Sequence, residues 1–259
     1  MRDTGLDEAI RAAGGVGALA RKIGISQPSV SNWPRVPAER VLSVEAATGI
    51  DRAALRPDLY AASPEPAACI DEVDAARAQE YALLSLLLAR APDAALLGRL
   101  ACLRGDASPL GVAHAALAQA AGGTDAERVA REFFDLFIGL GRGECLPYGS
   151  YYLTGFLHER PLARLRQDLA RLHIERVPGA SEPEDHAAIL CEIMAALVGR
   201  RLPAPPGAER ELFEAHLAPW MARFFADLER AQTAGFYRSV GTLGRVFIEI
   251  ESEAFALPA

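Results

Sequence analysis

Apolar residues recur along most of the chain at three- and four-residue spacing, the pattern of helices that bury one face. Period-two alternation rich in Val, Ile and Thr is scarce, so the expected fold class is all-α. The first helical pattern covers 6–13 and stops at Gly14-Gly15. A second covers 16–23 and stops at Gly24. Ser26 is placed to cap a third, through Trp33, and Pro34 and Pro37 break it. Pro37 suits the first turn of a fourth, 37–48, which Gly49 ends, and a short turn follows at 51–55. Longer amphipathic patterns come next. One spans 74–90, with Tyr81, Leu84, Leu87 and Leu88 on one face. Two more, 92–103 and 109–121, each begin at a proline. Thr124 with Glu127 reads as a capping box for a helix to Leu140. Residues 141–149 are irregular, and 161–173 reads as a helix. Ser181 with Glu184 reads as a second capping box, for a helix to Val198. A proline-rich loop at 201–208 precedes two final helices, 209–231 and 235–255.

Residues 56–71 hold three prolines and several small residues, which marks a boundary. The expected division is a small helix-turn-helix head at 1–58, a linker at 59–72 and a larger helical body at 73–259. Charge divides the same way. Residues 1–60 carry eight basic and seven acidic side chains, and the remainder carries 19 and 27. An acidic body disfavours nucleic acid and anionic membrane and suits a basic peptide. Cys69, Cys102, Cys145 and Cys191 lie far apart, without CxxC or a neighbouring His, so reduced thiols and no metal site are expected. No basic stretch followed by an apolar run opens the chain and no apolar run is long enough to span a bilayer, so a cytoplasmic protein is expected.

In the head, 18–33 (ALARKIGISQPSVSNW) has helix-turn-helix spacing. Small Ala20 permits close helix approach, Gly24 the turn, and Ile25 and Val30 face inward. Ser26, Gln27, Ser29 and Asn32 then lie where base edges are read, and Arg21, Lys22 and Arg35 where phosphates pass. The plain alternative is a protein-interaction module with a polar face. A net charge near +1 supplies few phosphate contacts, so two heads on two half-sites would be needed.

In the body, Tyr148, Ser150 and Tyr152 sit in a Gly- and Pro-rich interruption. Tyrosines there either bind apolar peptide or complete the core. Glu182, Pro183, Glu184, Asp185 and His186 follow. Their carboxylates either offset a helix dipole or receive guanidinium groups. His186 is suited to pH sensing, metal or base chemistry, yet no second ligand, nucleophile or cofactor motif accompanies it.

Residues 6–60 resemble the Cro/YdaS-type helix-turn-helix regulators. The resemblance rests on Ala-Gly-Gly at 13–15, Ala18-Leu19-Ala20, Gly24-Ile25-Ser26-Gln27, Val30, Trp33, 36–41 (VPAERV), 48–50 (TGI) and 55–58 (LRPD), and it implies a DNA-binding fold with Gln27, Ser29, Ser31 and Asn32 near the groove. Residues 74–255 resemble the TorD/DmsD family of redox-enzyme maturation chaperones. Here the matching segments are 133–137 (FFDLF), 147–152 (PYGSYY), 182–186 (EPEDH), 216–220 (HLAPW), Phe224-Phe225 and 236–238 (FYR). The second resemblance implies a TorD-like helical bundle that binds the twin-arginine signal peptide of a molybdenum-cofactor oxidoreductase. Such chaperones hold the apo partner until its cofactor is loaded. Asp185 and His186 carry over as the peptide-site core, with Glu182, Pro183 and Glu184 beside them. Tyr148, Ser150 and Tyr152 match the aromatic loop, although Tyr148 and Tyr152 stand where the family often has tryptophan. Some members bind guanine nucleotide or molybdopterin guanine dinucleotide; nothing here resembles a phosphate-binding loop, and no cofactor is expected.

The reading is therefore a non-enzymatic maturation chaperone with a DNA-binding head that adds regulation, with homodimerisation left open. The alternatives are a transcription regulator whose body senses a small molecule or nucleotide, and a small enzyme using His186 with Asp185 as an acid–base pair.

Overall fold

The computed structural model describes residues 3–60, 70–176 and 181–257. Its regular elements are helices, and the described residues form no β-strand beyond one isolated bridge. The chain divides into two compact units, Met1–Cys69 and Ile70–Ala259, each with its own buried apolar cluster. Most of the expected linker, 61–69 with Cys69, lies outside the described residues. Its flanks are structured: Tyr60 packs on the head's core, and Asp71 caps the first helix of the body.

The head contains α1 (Thr4–Ala13), α2 (Val16–Lys22), α3 (Gln27–Ser31), a 3₁₀ turn (Ala38–Arg40), α4 (Val41–Thr48) and α5 (Arg52–Leu55). Leu6, Leu19, Val30, Val36, Val41, Val44 and Leu55 are fully buried in it. α2 meets α3 through Gly24, in the left-handed region at φ 70°, and Ser26 Oγ accepts the Ser29 N–H. α3 ends at Ser31, short of the expected Trp33, because the residue before Pro34 is pushed out of helical geometry. Buried Arg56 donates to the Val36 carbonyl at 2.7 Å and to both Asp58 oxygens at 2.7 and 2.8 Å, so the end of the head is locked to its core.

The body begins with α6 (Glu72–Ala89), α7 (Ala94–Leu100), α8 (Pro109–Gly122) and α9 (Ala126–Phe133). It continues with α10 (Gly149–Thr154), α11 (Arg160–Arg171), α12 (Ala187–Val198), α13 (Ala208–Leu212), α14 (Met221–Arg230) and α15 (Phe236–Ala256). α12 is apolar nearly all round and is the buried helix; it lies along α6, while α15 packs on α14 and α8. Gly244 makes the α14–α15 approach possible: a Cβ there would sit 2.3 Å from the Phe225 ring. Glu132 on α9 accepts the N–H groups of Gly235, Phe236 and Tyr237 at 2.6–3.0 Å, capping α15 from another helix. No described helix is long and apolar enough to cross a membrane.

Four helix expectations are corrected. Asp125, one residue after Thr124, caps α9 by accepting the Arg128 N–H. That helix does not run on to Leu140; it widens into a π turn (Phe134–Ile138) and ends at Gly139. The 209–231 pattern is three pieces, α13, a second π turn (Phe213–Leu217) and α14. The helix expected from Ser181 begins only at Ala187, with His186 as its cap. Beyond these four, Gly149, expected to close the irregular stretch, opens α10, a helix for which no expectation was made.

Candidate functional site

The late start of α12 shapes the site. Residues 147–149 run antiparallel to 185–187: the Gly149 N–H donates to the Asp185 carbonyl at 2.9 Å and the Ala187 N–H to the Pro147 carbonyl at 2.8 Å. This bridge joins the aromatic loop to the acidic turn, though Gly149 and Glu182 are 33 positions apart in the sequence. The Tyr148 ring stands edge-on to His186 at 5.1 Å, and its hydroxyl donates to Glu182 Oε2 at 2.6 Å. Burial together with that carboxylate pushes the Tyr148 hydroxyl above the ordinary tyrosine value.

Asp185 is 3% exposed. One carboxylate oxygen accepts the Ser150 N–H at 2.7 Å, but the other, Oδ1, is buried without a partner, as is the neighbouring Ser150 Oγ. An unsatisfied buried carboxylate oxygen is costly, on the order of 1–3 kcal/mol or more. Asp185 also lines a cleft of about 470 Å³. Around it stand Leu153, Arg164, Asp168, Arg171, His216 and Trp220. His216 Nε2 lies 2.8 Å from Asp168, and the Trp220 indole N–H donates to the His216 carbonyl at 2.7 Å. The cleft is therefore bordered by a buried carboxylate that has one unpartnered oxygen, by an aromatic wall and by charges of both signs.

His186 is committed elsewhere. Its Nδ1 accepts the Ala188 N–H at 3.0 Å, which fixes the neutral ring as the Nε2–H tautomer. Burial lowers its pKa, against the pull of Glu182 and Asp185. Among the described residues no side-chain hydrogen bond joins Asp185 to His186, and no group of three or more His, Cys, Asp or Glu could hold a metal.

The predicted peptide residues thus separate. Tyr148, Ser150, Glu182, Asp185 and His186 come together, yet only Asp185 of that set lines the cleft. Glu184 turns the other way, paired with Arg166 at 2.8 Å beside a second groove between α11 and α12. Pro183 accepts the His186 N–H and closes the turn. Tyr152 is a core residue, stacked near Trp220 and Phe224 with its hydroxyl on Asp227. Asp168, Arg164 and Arg171 had no sequence signal, because an amphipathic helix conceals which polar side chains face a cleft. His216 and Trp220 lay within a quoted motif that gave no role.

In the head, Arg21, Lys22, Ser26, Gln27, Ser29, Ser31, Asn32 and Arg35 are all exposed. Several are engaged within the head. Ser26 and Ser29 hydroxyls bond each other at 2.7 Å, Lys22 reaches the Ala47 carbonyl at 3.4 Å, and Arg35 pairs with Asp58 at 3.3 Å.

Comparison with known proteins bears on both units. Residues 104–226 match the family model of the nitrate reductase delta subunit, a span that contains the aromatic loop, the acidic turn and the cleft. Residues 6–64 match the family model of the bacterial toxin YdaS, and α2, the Gly24 turn and α3 of the head have a helix-turn-helix arrangement. The chain is 27% identical to the chaperone protein TorD of Vibrio atlanticus over 135 residues, 48% of this chain and 63% of that one. It is 28% identical to the chaperone protein TorD of Vibrio cholerae over 130 residues, 47% of this chain and 59% of that one. It thus spans about three fifths of the curated relatives it matches. A crystal structure of a candidate redox enzyme maturation protein from Archaeoglobus fulgidus aligns at TM-score 0.49 and 23% identity, over 67% of this chain and 93% of that one.

Proposed function

We propose that the protein is a maturation chaperone for a molybdenum-cofactor oxidoreductase. Its TorD-like body receives the twin-arginine leader of the client at the cleft in front of Asp185, and its head binds DNA. The observation that carries this reading is the buried Asp185 carboxylate with one oxygen unpartnered at an open cleft. A guanidinium, with several N–H donors in a plane, is the side chain best suited to satisfy it. The acidic balance of the body favours the approach of a basic segment. The chemistry asked of the site is binding alone: Asp185 accepts, Trp220 walls the cleft, and Tyr148 and Glu182 brace the turn. Calorimetric titration of the full chain with a twin-arginine leader peptide, beside the same peptide with both arginines replaced by glutamine, tests it. Saturable binding restricted to the arginine peptide is expected; equal binding of both removes the guanidinium from the account.

The alternative regulator, whose body senses a small molecule or nucleotide, is favoured by one feature, the presence of Arg164 and Arg171 on the same cleft as Asp168 and Asp185. A nucleotide that displaces no leader and binds more tightly than the leader would support it.

A further inference from the structure

A cavity of about 670 Å³ opens between α6, the start of α8 and the C-terminal half of α15, and it shares no lining residue with the cleft at Asp185. Its walls include Val73 and Leu83 from α6, Leu110 from α8, and Phe247 and Ile250 from α15. Val73 is 68% exposed and Ile250 39%, so part of this apolar wall is open to water. A cavity of this size, apolar with a few converging polar groups, has the build of a small-molecule site.

The charged groups that border it are unequally satisfied. Glu251, 1% exposed, accepts from Arg77 Nε and Nη2 at 2.7 and 2.8 Å and from the Tyr81 hydroxyl at 2.9 Å. Arg77 gives Nη1 to Asp74 at 2.7 Å, so that set is closed. Glu80, 8% exposed, is served less well. Among the described residues its carboxylate has one partner, His114, whose Nε2 lies 3.1 and 3.0 Å from the two oxygens. One N–H is thus divided between two oxygens that together can accept about four hydrogen bonds. A neutral imidazole also brings no charge, and a buried carboxylate without a cation is costly. The other charged groups around His114 are Asp106 and Arg104 before α8, Glu72 on α6 and the closed Arg77–Glu251 pair. On the cavity itself Glu72, Glu80 and Glu251 outnumber Arg77 and Arg104.

We propose that this cavity binds a small amphipathic cation, an ammonium group on an alkyl stem, with the ammonium at Glu80 and the stem along Leu83, Leu110 and Ile250. The site is independent of the peptide function proposed above. Charge complementarity selects the ligand: an anion meets the acidic excess, and a neutral apolar molecule leaves Glu80 as it was. The hydrogen bond to Glu80 raises the His114 pKa, against the effect of burial. Below that pKa the imidazolium already answers the carboxylate and repels a second cation. Above it the place for a cation is free, so affinity rises with pH, while an alkylammonium, with a pKa near the lysine value of about 10.4, stays charged.

Calorimetric titration of the full chain with octylammonium tests the site, beside octanoate, octanol and an amphipathic helical peptide bearing one lysine. Octylammonium is expected to bind saturably and about tenfold or more tightly than octanoate or octanol. Glu80→Gln, which keeps an acceptor for the His114 N–H, should reduce it to the octanol level, and Asp185→Asn should leave it unchanged. Affinity should rise about threefold or more between about pH 5.5 and 8.5, and His114→Gln should remove that rise. Val73→Lys, a change at an exposed position, should weaken octylammonium about threefold, and it keeps the test decisive if Glu80→Gln lowers the melting temperature. No binding of octylammonium, equal binding of octanoate, or affinity that both Glu80→Gln and Val73→Lys leave intact overturns the site. Loss of binding in Asp185→Asn, or binding of the lysine peptide alone, overturns it as well.

Discussion

His186 is buried behind Tyr148 and used as a helix cap, and burial holds its pKa below the ordinary histidine value. His114, partly buried on α8, lies 3.0 Å from the buried Glu80 carboxylate, and that hydrogen bond raises its pKa. The two therefore act in opposite directions on stability. For His114 the folded value exceeds the unfolded one of about 6.5, so its contribution is complete below that pH and is lost as pH rises through the folded value. For His186 the folded value is lower, so the unfolded chain takes up the proton first and stability falls as pH drops below about 6.5. Thermal melts at about pH 5.5 and 8 should show His114→Gln destabilising more at the lower pH. His186→Asn, which keeps a capping acceptor, should reduce the acid sensitivity of the unaltered protein. A pH-independent difference for both variants contradicts these assignments. Ser150 gives a third test at this scale: its Oγ is buried and unpaired, so Ser150→Ala should change stability by less than about 1 kcal/mol, read from denaturant midpoints.

Helices meet here through specific devices as well as apolar faces. Glu132 satisfies three N–H groups of α15, and Glu132→Ala should cost about 2 kcal/mol by the loss of a cap and of several charge-assisted bonds. Gly244→Ala should cost about 1–3 kcal/mol, because its Cβ collides with the Phe225 ring; urea unfolding checks both, and a neutral Gly244→Ala would mean that α14 and α15 are looser than described. At this scale the sequence was informative where one apolar face runs unbroken, as in α6, α8 and α15. It misled where backbone chemistry intervenes. The π turn at Phe134–Ile138 preserves an apolar pattern while abandoning α geometry, so a helix to Leu140 was expected. Ser181 with Glu184 had capping-box spacing, yet Asp185 and His186 are drawn into the bridge with 147–149, and the helix waits for Ala187. The acidic turn was legible as a cluster; its division between two clefts depends on which way each carboxylate turns, which no local spacing encodes.

In the whole molecule, head and body each have a separate apolar core. Residues 70–259 expressed alone should therefore unfold in one cooperative transition and keep the leader affinity of the full chain, measured by denaturation and titration; loss of folding would contradict two self-sufficient cores. The head offers three candidate phosphate cations, and one of them, Arg35, is held by Asp58, whose pKa is lowered to about 2 mainly by its bond with Arg56. DNA affinity per head should then fall with salt at a log–log slope no steeper than about −3, measured by anisotropy across a salt series; a much steeper slope would mean that other basic groups meet the DNA. The central claim is that one buried carboxylate receives a basic group from a peptide partner. It is tested most directly by calorimetric titration of a twin-arginine leader into the full chain and its Asp185→Asn variant, which keeps an acceptor for the Ser150 N–H. Saturable binding that the variant loses by about tenfold or more, at unchanged melting temperature, is the predicted result; equal affinity in both proteins would contradict it.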